Sequence, residues 1–157
     1  EKDPEPVVRT DIAVSIATVV DAFQDHGQDV SYDGPDHLEM EVRGLSLRRA
    51  VRNLVENALH YGDRARVSLL RKGQEVLIRV DDDGPGIPRE RLEEVLRPFS
   101  RLDDARQRNT RGLGLGLAIV QKAVAVEGGH LTLANRPDGG LRAEICLHLP
   151  RPTARGG

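Results

Sequence analysis

Three consecutive aspartates, Asp81, Asp82 and Asp83, end the most apolar strand-like run of the chain and lead into Gly84-Pro85-Gly86-Ile87-Pro88. Val76, Ile78 and Val80 alternate with Leu77, Arg79 and Asp81 at the period of a strand, so the acidic run emerges at a sheet edge or mouth. Gly84 and Gly86 permit close backbone approach, while Pro85 and Pro88 stop the strand. A carboxylate at the end of a buried strand is costly unless it accepts hydrogen bonds, and an exocyclic amine is a suitable donor. Asp82 is the candidate acceptor. Taken alone, Asp-Gly-Pro-Gly also reads as a surface turn. A calcium loop is set aside, because a ligand position falls on Pro85 and no Glu closes the loop.

Two other groups of residues carry chemistry. Asn53 and Asn57 stand one helical turn apart, with His60 on the same side and Tyr61 beside them. Asn is a weak helix former, so two on one line make either a solvated face or a pair of uncharged oxygen donors for magnesium bound to phosphates. In the second reading His60 is a phosphate or lid contact and Tyr61 a flat surface for a base. Further on, Gly112-Leu113-Gly114-Leu115-Gly116-Leu117 runs into a helix predicted over 118–126. Glycines before a helix start let backbone amides approach an anion. The run is neither the dinucleotide fingerprint, whose third glycine would fall at Leu117, nor a P-loop, which needs a Lys and a hydroxyl. Between these groups, residues 100–111 hold Arg101, Arg106, Arg108 and Arg111 among polar neighbours. Such a segment cannot bury enough surface to order itself, and it reads as a flexible lid with arginines for phosphate, or as a solvated loop.

The elements that must position these residues follow from periodicity. Asp11 caps a first helix with Ile12, Ile16, Val19, Val20 and Phe23 in one stripe, ending near His26-Gly27. Val7 and Val8 suggest a short edge strand before it. Strand-like runs follow over 30–33 and 38–42, with Gly34-Pro35 turning between them. Ser46 is the expected cap of a second helix through about His60, with Leu47, Ala50, Val51, Leu54, Val55 and Ala58 inward. Residues 66–71 and 75–82 make a hairpin, 89–97 a short charged helix, and Pro98-Phe99 a plug. In the helix over 118–126, Ile119, Val120, Ala123 and Val124 face inward, and a closing hairpin spans 130–134 and 141–149. His26 and His37 read as solvated surface, and His130 and His148 as structural or surface residues.

The chain has 157 residues, enough for one domain with a substantial core about 7–150 and flexible ends over 1–6 and 151–157. With 23 basic and 25 acidic side chains its net charge of -2 gives no reason to expect nucleic acid. The single cysteine, Cys146, excludes a disulfide framework or a cysteine zinc site, leaving a small buried apolar residue. No run approaches the ~20 apolar residues that span a bilayer, and no signal peptide opens the chain.

The order of these motifs is more specific than any one of them. Asn53-Leu54-Val55-Glu56-Asn57-Ala58, then Asp82-Asp83-Gly84-Pro85-Gly86-Ile87, Pro98-Phe99 and Gly112 to Val120 resemble the catalytic ATP-binding domain of bacterial two-component sensor histidine kinases, of the osmosensor EnvZ group. The resemblance covers residues 11–150. It implies a two-layer α/β sandwich of the Bergerat (GHKL) type, a mixed sheet of about five strands backed by three helices with a flexible ATP lid. ATP and Mg2+ are the implied cofactors. Asn57 resembles the magnesium ligand, Asn53 a phosphate-side group and Tyr61 the ring on adenine. Asp82 resembles the carboxylate that receives the adenine amino group, with Gly84, Gly86 and Ile87 shaping the pocket. Gly112, Leu113, Gly114, Leu115, Gly116 and Leu117 resemble the triphosphate cradle, with Arg101 and Arg111 from the lid. His60 departs from the Arg or Lys often found at its position.

The resemblance also implies partners: ATP or ADP, the phosphoacceptor dimerisation helices of a parent kinase, and a downstream response regulator. The expected parent is a homodimer anchored in the inner membrane, and the isolated domain a cytoplasmic monomer. None of His26, His37, His60, His130 or His148 has the phosphoacceptor context, so the dimerisation domain is expected to be absent, with negligible turnover for this piece alone. Hydrolases of the same superfamily place a glutamate one turn before the metal-binding Asn. That position is Asn53, and Glu56 points roughly 100° away around the helix. A non-catalytic adenylate-binding module would use the same motifs, and a serine kinase of the anti-sigma type would share the pocket.

Overall fold

Asp11 closes one element and opens the next. Its Oδ1 accepts the Val14 N–H at 3.2 Å as the N-cap of α1 (Ile12–Asp25), which buries Ile12, Ala13, Ile16, Val19 and Val20 along one stripe. The same carboxylate accepts the Leu38 N–H at 3.0 Å and meets His37 Nδ1 at 2.8 Å, so one side chain ties α1 to the chain entering β3. His37 is thus exposed, as expected, but partnered. The computed structural model describes residues 5–88, 92 and 113–150, and only the backbone of 113–116. The expected helix over 89–97, Pro98-Phe99, Arg101, Arg111, Gly112 and the lid over 100–111 lie outside the described residues.

β1 (Val8–Asp11) pairs antiparallel with β3 (Glu39–Val42) as a small separate sheet. β2 (Asp29–Asp33) instead joins the main sheet, parallel to β4 (Arg64–Lys72), so Gly34-Pro35 separates strands of two different sheets. The main sheet has the order β2-β4-β5-β7-β6, with β5 (Glu75–Asp82), β6 (His130–Asn135) and β7 (Leu141–His148) antiparallel to their neighbours. Val76, Ile78, Val80, Ile145 and Leu147 of its inner strands enter the core beneath the helices.

α2 (Gly44–Tyr61) starts before the expected cap. Arg43 is the N-cap and makes no side-chain capping bond. Ser46 lies in the first turn, where its N–H and Oγ donate to Glu5 Oε1 at 3.0 and 2.6 Å, while the Leu45 N–H donates to Oε2 at 2.7 Å. A carboxylate from far upstream thus satisfies the orphan amides and complements the helix dipole. The six apolar positions expected to face inward are all buried, together with Asn57.

α3 (Leu113–Ala125) begins at Leu113 rather than Ala118, so Gly114 and Gly116 lie in its first turns and not before it. Glycine disfavours a helix interior by only about 1 kcal/mol, which the burial of Leu117, Val120 and Val124 outweighs. Ile119, expected inward, is 38% exposed. With α2 and α3 packed on each other and α1 on α2, three helices back one face of a mixed five-stranded sheet, the α/β sandwich expected from the sequence.

Candidate functional site

The three aspartates separate by strand alternation and each does something different. Asp81 points to the outer face of the sheet, where Arg142, its cross-strand partner on β7, donates to both carboxylate oxygens at 2.8 and 3.0 Å. Asp83 accepts the Asp63 and Arg64 N–H groups through Oδ1, which ties the exit of α2 to the exit of β5 and holds its carboxyl below the usual range. Asp82 points inward, on the side of Val76, Ile78 and Val80, and is 5% exposed. Its Oδ1 accepts the N–H groups of Gly84 at 2.9 Å and Leu141 at 3.0 Å. Burial pushes the Asp82 carboxyl up from its ordinary value, against the pull of those two N–H groups. Among the described residues, both bonds fall on one oxygen, leaving Oδ2 as acceptor capacity.

Asp82 borders a narrow cavity between α2, α3 and the β5–β7–β6 end of the sheet. Its walls are apolar: Leu54 and Ala58 from α2, Leu117 from α3, Val80, Leu133 and Ala143 from the sheet. Asn57, Tyr61, Gly86, Ile87 and Leu141 complete the lining. Asn53 sits one turn earlier on α2. The amide nitrogens of Asn53 and Asn57 are buried and, among the described residues, meet no hydrogen-bond partner. A buried amide in this state is a standing cost that a polar ligand relieves.

The expected site residues therefore divide. Asn57, Tyr61, Asp82, Gly86, Ile87 and Leu117 line one cavity. Gly84 stands behind it, packed so closely on the Tyr61 carbonyl that a Cβ would not fit. His60 is exposed and does not line the cavity; its ring meets the edge of Tyr61 with centroids 4.5 Å apart. Leu113, Gly114, Leu115 and Gly116 form the start of α3.

Sequence reading missed the supports that come from the β6–β7 turn. Asn135 accepts the Ile87 N–H at 2.9 Å and donates to its carbonyl at 2.8 Å, pinning the loop after β5. Arg136 Nη1 donates to the Asp82 carbonyl at 2.9 Å. Gly140, at φ 94°, passes so near that same carbonyl that no side chain is admitted. These partners lie some fifty residues away in the chain, and only the apposition of β5 and β7 brings them to Asp82.

The slot, walled by two helices and the end of a mixed sheet with one buried carboxylate at its margin, lies within a two-layer α/β sandwich. The chain belongs to the family of histidine kinase-, DNA gyrase B- and HSP90-like ATPases, whose pattern residues 42–153 match. It is similar to the sensor histidine kinase GtrS of Pseudomonas aeruginosa, 47% identical over 107 residues, covering 68% of this chain and 21% of that one. It is 43% identical over 105 residues to the sensor histidine kinase CpxA of Escherichia coli, covering 66% of this chain and 23% of that one. The chain thus spans about a fifth of the length of these curated relatives. Among solved structures, the histidine kinase domain of the Escherichia coli osmosensor EnvZ matches with a TM-score of 0.72 and 32% identity, covering all of this chain and 96% of that one.

Proposed function

We propose that this chain is the catalytic domain of a sensor histidine kinase, which binds MgATP and presents the γ-phosphate to a histidine on a separate dimerisation domain. One observation carries the reading: a buried carboxylate, half satisfied by two N–H groups, borders an apolar cavity shared with a buried, unpartnered Asn57 amide. An adenine ring suits such a cavity, its exocyclic amine donating to Asp82 and its face covered by Tyr61, Ile87 and Leu133. Guanine carries a carbonyl at the corresponding position and would meet the carboxylate with an acceptor.

The phosphates then lie toward Asn53, Asn57 and the start of α3, where helix-terminal amides favour an anion. The fit to magnesium rests on the donor set: Asn57 offers a hard, uncharged oxygen without adding negative charge beside phosphate, while its buried Nδ2, unpartnered among the described residues, suits a phosphate oxygen as acceptor. Bound there, magnesium neutralises phosphate charge. Asn57 would hold the ion, Asn53 would donate to a phosphate oxygen, and Arg101, Arg111 and the residues from Gly112 to Leu117 are assigned to the triphosphate. His60, at the edge of the Tyr61 ring, is assigned to the lid side.

Transfer to a protein acceptor is favoured over hydrolysis by α2 itself. Asn53 stands one turn before Asn57, and Glu56 is exposed, so no carboxylate of α2 faces the cavity to deprotonate water. What the domain supplies is position and charge complementarity, which account for most phosphoryl-transfer catalysis. For the whole protein, we extend the reading to a dimer with a response regulator as its downstream partner and a cytoplasmic catalytic domain beneath an inner-membrane anchor. Among the described residues no helix is long and apolar enough to cross a membrane.

Mixing the chain with a separately made acceptor hairpin and labelled ATP tests the proposal. Acid-labile phosphohistidine on the hairpin is the expected product. Phosphate release without it would favour a hydrolase, and bound ATP with neither product a non-catalytic module.

A further inference from the structure

His130, Cys146 and His148 are far apart or alternate in sequence, yet the register of the last hairpin gathers them. His130 on β6 pairs directly with Cys146 on β7, and His148 lies two residues further along β7, on the same face. That face is the one turned away from the helices. Ile145 and Leu147 belong to the core, whereas Cys146 is buried separately beside its cross-strand partner Leu77. One ligand atom from each of the three residues lies within 4.8 Å of the others.

We infer that His130, Cys146 and His148 form a binding site for a zinc-class transition metal ion on the outer face of the sheet, remote from the nucleotide cavity. Two imidazoles and a thiol are the donors such ions prefer, and three protein ligands leave a fourth position open. Tetrahedral ligands at ordinary zinc bond lengths stand roughly 3.3–3.7 Å apart. The three atoms therefore need to close by only about an ångström, which rotation of two exposed imidazoles supplies. The imidazole rings lie with centroids 6.2 Å apart and planes tilted by 46°, and among the described residues no side-chain hydrogen bond holds either ring or the thiol in another arrangement.

The site would staple the edge strand β6 to β7, so metal should stabilise the fold by binding only the native state. Cobalt(II) is the probe, because its thiolate charge-transfer absorption reports sulfur coordination directly, and zinc is the competitor. The expected result is equimolar cobalt uptake with that absorption, its loss on adding zinc, and a rise in melting temperature with zinc. Cys146→Ser should abolish the absorption, and His130→Ala or His148→Ala should weaken affinity at least about tenfold. The two histidines are exposed, so their variants keep the fold, and unchanged ATP affinity verifies it. No thiolate absorption in the wild type, or full affinity in the His130→Ala/His148→Ala double variant, would overturn the inference.

Discussion

At the scale of single residues, the proposed function makes Asp82 a trade of stability for recognition. Its folded-state carboxyl titrates above the ordinary 3.8, so the folded protein holds that proton more tightly than the unfolded chain does. Stability contributed by this group therefore falls as pH rises from 3.8 through the folded value, and at neutral pH the ionised form is a net burden. Asp82→Asn keeps the acceptor for Gly84 and Leu141 while removing the charge. Thermal melts at pH 7 should give this variant a melting temperature at or above that of the wild type; a clear decrease would contradict the burial account. Gly140 behaves differently, because its φ of 94° and its contact with the Asp82 carbonyl both exclude a side chain. Gly140→Ala should lower stability by about 1–3 kcal/mol, measurable by urea unfolding. It should also weaken nucleotide binding, since the Asp82 backbone must move.

At the scale of elements, Asp11 is the joint between α1 and the small sheet. The Leu38 N–H and then His37 hold its carboxyl below 3.8, while Asp11 raises His37 above 6.5. The Asp11 contribution is present above 3.8 and lost as pH falls through its lowered folded value. That of His37 is present below 6.5 and lost as pH rises through its raised one. An NMR titration should place the His37 midpoint above 6.5, returning toward it in Asp11→Asn. Asp11→Ala should lower the melting temperature more than Asp11→Asn, which retains an N-cap acceptor. Elements of this kind were readable from the sequence because their signals are local: a cap beside a periodic stripe, or the alternation that put Asp82 on the side of Val80. What was not readable depended on distant chain. Glu5 displaced Ser46 as the cap of α2, packing on α2 carried α3 back through Gly114 and Gly116, and β3 paired with β1 rather than β2. In the candidate site, Asn57, Tyr61 and Asp82 were chosen from spacing, but Asn135, Arg136 and Gly140 reach it only through the sheet. Cys146 is buried, as its place in an alternating run implied, but spacing along the chain could not bring His130 to it, which the hairpin register does.

At the scale of the molecule, one core underlies both the helix layer and the cavity, with Ile78 of β5 fully buried beneath them. Ile78→Ala should cost about 2–5 kcal/mol and shift a single cooperative unfolding transition, followed by circular dichroism and tyrosine fluorescence together. Two separate transitions would contradict the one-domain reading of the chain. In the proposed function the nucleotide lies over the same core, because β5 delivers Asp82 and α2 delivers Asn57 to one space. Calorimetric titration with ATP and with GTP in the presence of magnesium, on the wild type and on Asp82→Asn, tests this most directly. The expected result is binding of ATP in clear preference to GTP, with ATP affinity reduced about 10–100-fold by the substitution, the scale of a hydrogen bond to a charged group. Equal affinity for the two nucleotides, or ATP binding undiminished in Asp82→Asn, would contradict it.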